Sequence, residues 1–268
     1  MDVGVREGIA RNFSESIILG KGSSMELAGQ TALVTGAGSG IGRAVTVALA
    51  AAGCKVVACG RRREPLENVK KESSDNILVY ELDITDNGAV DSLPKKLPKD
   101  WRNISILINN AGHEVGGRRR FDKGTADDWA SILGTNLLGT FRVSRAIVPG
   151  MIERSLGHIV NMGSTSGIKA DAERTAYAAS KFAIHGFSES LRRDYAGKGI
   201  RVTEINPGIV RTDFAEVRWG DPDLAEKFYQ SFEDFMEPED IAAAILYALT
   251  QPARVNVAQI VLMQSSML

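Results

Sequence analysis

A tyrosine and a lysine four residues apart, Tyr177 and Lys181, follow shortly after a serine, Ser164, that closes an apolar run at 158–162. On a helix, residues at that spacing share a face. A cation beside a phenol draws its pKa down from about 10 toward neutrality. Such a phenol can protonate a developing alkoxide or, in reverse, take the proton from an alcohol. A nearby hydroxyl can hold the same oxygen in place; Ser164 fits that role, with Ser166 as a competitor further into the loop. The same Tyr–Lys pair on an exposed helix would be ordinary, so its surroundings decide its meaning.

Those surroundings alternate between strand-like and helix-like patterns. Apolar, β-rich runs recur at 31–34, 55–59, 78–82, 104–108, 158–162, 200–205 and 258–262, separated by helix-like stretches at 41–52, 64–73, 86–96, 125–153, 174–197 and 238–250. This alternation predicts an α/β protein: a doubly wound Rossmann fold with a single seven-stranded parallel sheet and helices on both faces. In such sheets a ligand lies beyond the carboxyl ends of the strands, and there small and polar residues cluster. The first strand runs into TGAGSGIG (35–42), where strand, glycine turn and helix would aim backbone N–H groups and a helix dipole at a phosphate. The spacing G-x-x-x-G-x-G is not the common G-x-G-x-x-G fingerprint, so the turn alone is a moderate signal.

Composition sets the bounds. At 268 residues, with 44% hydrophobic and 24% charged, the chain suits one globular domain, read as 25–268 behind an extension at 1–24 with no chemistry assigned. A formal net charge of -1 gives no reason to expect nucleic acid or an anionic membrane as partner. No apolar run approaches the ~20 residues of a membrane helix, and the first 24 do not resemble an export signal. Cys54 and Cys59 flank one strand, too far apart there to bridge, which suits a reducing, cytoplasmic setting; no metal site is expected.

TGAGSGIG, NNAG (109–112), Asn136 in the long helix, Ser164, Tyr177/Lys181 and NPGIVRT (206–212) occur in that order. Together, over about residues 25–262, they resemble the short-chain dehydrogenase/reductase family. The resemblance implies hydride transfer between a nicotinamide cofactor and a carbonyl or alcohol. It makes Tyr177 the acid/base, has Lys181 lower the Tyr177 pKa and bind the nicotinamide ribose, lets Ser164 orient the carbonyl, and gives Asn136 a water relay to Lys181. Cofactor contacts are implied at Gly36, Ser39, Gly40, Ile41, Gly42 and Arg43, at Asp83 and Ile84 by the adenine, and at Asn110, Ala111 and Gly112 along the adenosine ribose. Pro207, Gly208, Ile209, Val210 and Thr212 complete that set on the nicotinamide side. Asp83 taken alone would read as a helix cap. One departure is Gly163, where the family often has a serine.

An NAD site usually carries an acid about 20 residues past the glycine turn. This chain has Arg61 and Arg62 instead, with Arg43 after the last glycine, and guanidinium groups suit a dianionic 2′-phosphate. NADP(H) is the expected cofactor. The long connection at 212–235 reads as a lid. It is similar to lids in a subgroup acting on small 3-hydroxy acids, including serine-type and malonic-semialdehyde enzymes, as are GRR (60–62), 149–167 and VNV (255–257). On that footing the small-molecule substrate meets Ser164, Tyr177 and Arg218, with Arg218 on an anionic group; a solvent-facing arginine is the competing reading. Reduction of bulkier ketones, such as 3-oxoacyl thioesters or cyclic ketones, is the alternative activity, and a non-catalytic NADP(H) sensor the alternative class. Arg118, Arg119 and Arg120 read as a solvated run, His113 and His158 as structural, and the long helices as the pairing faces of a homo-oligomer, a tetramer or dimer.

Overall fold

The computed structural model describes residues 25–73 and 75–266, so the extension at 1–24 lies outside the described residues. Seven strands, β1 (Thr31–Thr35), β2 (Lys55–Gly60), β3 (Ile77–Glu81), β4 (Ile104–Asn109), β5 (Gly157–Met162), β6 (Ile200–Pro207) and β7 (Gln259–Leu262), form one sheet. The order is β3-β2-β1-β4-β5-β6-β7 and every pairing is parallel. The chain winds outward from β1 in both directions, which puts the switch point between β1 and β4.

The strands are apolar without alternation because both faces are covered. Ala32 and Val34 of β1 face one core with Val56, Ala58, Ile106, Ile108 and Val160. Leu33 faces the other with Val57, Leu107, Ile159 and Val202. The first core is closed by α1 (Gly40–Ala51) through Val45 and Leu49, by α2 (Arg63–Ser73) through Leu66, and by α9 (Pro238–Thr250) through Ile241 and Ile245. The second is closed by α3 (Asn87–Lys96) through Val90 and Leu93, by α5 (Thr140–Glu153) through Ile147 and Met151, and by α6 (Thr175–Asp194) through Leu191.

The helix expected over 125–153 is three segments: α4 (Ala126–Leu133), a π-helical turn (Gly134–Gly139) and α5. Two side-chain bonds mark the break. Asn136 turns inward to the loop after β4, and Thr140 Oγ1 donates back to the Asn136 carbonyl. Side chains entering the helical ladder in this way are a known cause of such irregularities. The α6 helix stops at Asp194, short of 197, where Gly197 and Gly199 adopt φ +74°. The connection at 212–235 folds as α7 (Phe214–Trp219) and α8 (Pro222–Gln230), packed on their own small cluster of Ala215, Ala225 and Tyr229.

Candidate active site

The glycine turn is shaped by Asn110. Its Nδ2 donates to the carbonyls of Thr35 (3.0 Å) and Gly36 (3.3 Å), while Thr35 Oγ1 accepts from the N–H groups of Asn110 and Ala111. Gly36 has φ +66°, and a Cβ there would meet Ala111 Cα and Asn110 Nδ2 at 3.0 Å. A Cβ on Gly42 would lie 2.1 Å from the Gly36 carbonyl oxygen. The glycines therefore let β1, α1 and the end of β4 close together, and they leave a backbone cradle open beyond the sheet edge.

That cradle is one end of a cavity of about 340 Å³ running across the carboxyl ends of the strands. Gly36, Ser39, Gly40, Ile41, Arg61, Arg62, Asp83 and Ile84 line one end, and Asn110, Ala111 and Gly112 line its floor. Ser164, Tyr177, Lys181, Pro207, Gly208, Ile209, Val210, Thr212 and Arg218 line the rest. Three expected site residues lie elsewhere. Gly42 is buried beneath the turn, where its role is close packing. Arg43 forms an ion pair with Glu72 of α2 instead of facing the cavity. Asn136 sits behind the cavity wall, where Oδ1 accepts from His113 N (2.9 Å) and Nδ2 donates to the His113 carbonyl (2.9 Å) and to Ser180 Oγ (3.2 Å). Its side chain thus braces the loop after β4 against α6.

At the far end of the cavity Ser164, Tyr177 and Lys181 converge. Asn206 Oδ1 accepts from Ser164 N at 2.9 Å. A Cβ on residue 163 would lie 2.0 Å from that same Oδ1, which is why glycine replaces the family's frequent serine. Ser164 Oγ accepts from Ser166 N at 3.1 Å and stands beside Tyr177, which is 7% exposed and meets the Phe214 ring of α7 edge-on at 5.7 Å. Ser166 is not a competitor, because its Oγ donates to Asp171 and accepts from Arg174. Burial pushes the Tyr177 phenol above its ordinary pKa; Arg174, the Ser164 side chain and Arg218 oppose that rise without cancelling it. The expected cation is at hand: Lys181 Nζ lies 5.6 Å from the Tyr177 ring centroid. Lys181 Nζ donates to the Met162 carbonyl at 2.8 Å, and burial brings its own pKa down to about 8.

Two further groups have no signal in the sequence. Glu114, 2% exposed in the loop after β4, accepts from Arg174 Nη2 (2.8 Å) and from Arg218 Nε (2.8 Å). Arg218 is thus a buried residue facing the cavity, not a solvated one. The contacts span 60 and 104 residues of chain, so no local pattern marks them. Near the cradle, burial raises the Asp83 carboxyl, but hydrogen bonds from Thr85 and the Arg61 charge leave it below the usual carboxylate range. Arg118, Arg119 and Arg120 are exposed, as expected of a solvated run. Among the described residues no helix is long and apolar enough to cross a membrane.

A parallel doubly wound sheet with serine, tyrosine and lysine at one end of a cleft, and a glycine cradle with two arginines at the other, defines a dinucleotide-dependent oxidoreductase. The chain belongs to the short chain dehydrogenase family, which it matches over residues 30–222. It is 41% identical over 227 residues to the NADP-dependent 3-hydroxy acid dehydrogenase of Escherichia coli (strain K12), covering 84% of this chain and 91% of that one. Its fold superposes on a closed form of serine dehydrogenase complexed with NADP+, with TM-score 0.84, 40% identity and coverage of 87% and 94%. A 3-ketoacyl-(acyl-carrier-protein) reductase from Brucella melitensis complexed with NADH is similar at TM-score 0.81 and 25% identity, covering 90% of this chain and all of that one.

Proposed function

We propose that this protein transfers hydride between NADP(H) and a small 3-hydroxy acid or the corresponding semialdehyde acid. The observation that carries the reading is the single cavity that joins Arg61 and Arg62 to Ser164, Tyr177 and Lys181. The residues present fit the cofactor: Gly36, Gly38 and Gly40 line the cradle with backbone, and Arg61 and Arg62 line the same cavity with the cations that suit a 2′-phosphate. Bound NADP(H) supplies or accepts the hydride. The chain supplies the proton and the geometry. Tyr177 Oη gives its proton to the substrate oxygen in reduction and takes it back in oxidation, while Ser164 Oγ holds that oxygen beside it. Lys181 binds the nicotinamide ribose from the same face. Arg218 meets the substrate carboxylate under α7 and α8, which exclude water from the reacting atoms.

The dehydrogenase relatives named above support the small hydroxy acid over bulkier ketones. An NADPH-oxidation screen tests the choice directly. Turnover of malonic semialdehyde, or oxidation of serine or 3-hydroxypropanoate, fits the proposal; activity confined to 3-oxoacyl thioesters or cyclic ketones favours the alternative. The reading includes a homo-oligomer in a reducing cytoplasm. Leu138 (46% exposed), Phe141 (39%) and Phe182 (44%) support the first, lying on the π turn, α5 and α6. The buried free thiols of Cys54 and Cys59 support the second.

A further inference from the structure

Arg174 lies over the ring of Tyr177. Its Cζ is 4.4 Å from the Tyr177 ring centroid, and every part of the guanidinium is tied down. Nε and Nη2 donate to Glu114 (2.8–3.3 Å), and Nη1 donates to Ser166 Oγ (2.9 Å) and Asp171 Oδ2 (3.2 Å). The preceding residue, Glu173, has φ +68°, a conformation that side chains other than glycine rarely adopt. Its carbonyl is anchored by Arg119 N at 2.9 Å. Backbone strain of that kind persists only where the surroundings impose it, and it concentrates at functional sites. Here it delivers Arg174 into the wall of the cavity.

We propose that Arg174, clamped by Glu114, is a positioning residue of Tyr177: it fixes the ring and adds a permanent positive charge that favours the phenolate form. The inference rests on Tyr177 being the acid/base. Lys181 shares the task, its Nζ 5.6 Å from the ring centroid, but its amine also donates to the Met162 carbonyl and loses its charge near pH 8. A guanidinium stays charged throughout the working range, and a face-on cation is attracted to the ring itself. The groups facing Tyr177 are Arg174 and Lys181 from its own helix region, Glu114 from the loop after β4, and Arg218 from α7, with Asp171 acting through Arg174. Arg174 and Arg218 favour the phenolate, and Glu114 opposes it.

Opposite charges therefore make opposite predictions. The readout is the pH dependence of kcat for NADP+-dependent oxidation of 3-hydroxypropanoate, whose carboxylate does not titrate in the range; oxidation needs the phenolate as base, so the acidic limb reports the acid/base. Arg174→Gln is expected to move that limb toward higher pH by about half a unit or more. Glu114→Gln, which still accepts from Arg174, is expected to move it toward lower pH. Arg174→Lys should restore part of the shift while leaving kcat low, because the forked hydrogen bonds to Glu114, Ser166 and Asp171 are lost. Limbs that stay at the wild-type position, or move the same way in both Gln variants, overturn the proposal. If Arg174→Gln does not fold, the direction of the Glu114→Gln shift decides alone. Tyr177→Phe separates the two readings: if it retains turnover, the acid/base assignment itself is wrong. If it is inactive and the limbs do not move, only the role of Arg174 falls.

Discussion

Arg218 Nε donates to Glu114 Oε2 at 2.8 Å, and both side chains are buried in the cavity wall between α7 and the loop after β4. Arg218 also lines the cavity, its Cζ 4.9–5.3 Å from the ring centroids of Phe214, Trp219 and Phe228. The lid also holds the loop through Gly117 N, which donates to the Arg218 carbonyl at 2.8 Å. Placing a fixed cation beside Ser164 and Tyr177 suits a substrate whose carboxylate lies a few bonds from the reacting carbon.

If Arg218 recognises that carboxylate, Arg218→Ala should raise KM steeply for 3-hydroxy acids, by an amount equivalent to about 2–5 kcal/mol of binding. Propanal, a neutral aldehyde, should be reduced with nearly unchanged KM. Comparing KM for the acid and the aldehyde in the two proteins checks this. Equal effects on both would assign Arg218 to lid stability alone.

Arg61 and Arg62 line the adenosine end of the cavity, where the end of β2 has no acid to meet a ribose hydroxyl. Replacing both by alanine should raise KM for NADPH and leave KM for NADH nearly unchanged. Wild-type kinetics that favour NADH, or a double variant that keeps its NADPH preference, would remove the 2′-phosphate role from this pair. Arg43, expected beside them, is engaged by Glu72 and is predicted to be dispensable for this choice.

Gly163→Ser tests the link between β6 and Ser164. A Cβ at 163 would sit 2.0 Å from Asn206 Oδ1, the acceptor of the Ser164 N–H. Overpacking of this kind costs about 1–3 kcal/mol, and here the group that must move is the one holding Ser164. We expect a lowered Tm together with a lower kcat and little change in NADPH affinity. Unchanged kcat at reduced stability would show that Asn206 does not position Ser164.

Much of this arrangement is legible in the sequence, for identifiable reasons. Each strand is a short apolar run, and the alternation with helices leaves one economical topology, so β1 to β7 lie where expected within a residue or two. The glycine turn, Asn110 and the Tyr177/Lys181 pair are legible because each is a local pattern. What escapes is non-local. Glu114 meets Arg174 and Arg218 only after β4, α6 and α7 converge, and the π turn around Asn136 depends on a bond to His113. The surroundings of the Tyr177/Lys181 pair are non-local too: spacing puts the two on one helix face, but marks neither the Met162 carbonyl that accepts from the amine nor Arg174 over the phenol ring.

His158 makes the fold sensitive to acid. Thr203 Oγ1 donates to the Val257 carbonyl (2.7 Å), so it must accept from His158 Nε2 (2.8 Å), which leaves Nδ1 as a bare, buried acceptor without a partner in the described structure. Burial, aided by the Arg201 charge, lowers its pKa to about 3 from 6.5. A histidine held neutral in the fold contributes stability that is complete above its unfolded pKa and is lost as pH falls toward the folded one. Between pH 6.5 and 3 the expected loss is about 1.4 kcal/mol per pH unit. His158→Gln keeps a donor for Thr203 but does not titrate, so its urea midpoint should fall less between pH 7 and 4.5 than that of the wild type. Parallel falls would place the acid sensitivity elsewhere.

The most direct test of the proposed chemistry is Tyr177→Phe, which keeps the ring under Arg174 and against Phe214 and removes only the hydroxyl. NADPH binding, followed by the change in nicotinamide fluorescence, should be retained, while kcat for reduction of malonic semialdehyde should fall by about two to four orders of magnitude. A variant that binds NADPH and reduces the substrate at a rate near the wild type would contradict the assignment of Tyr177 as the acid/base.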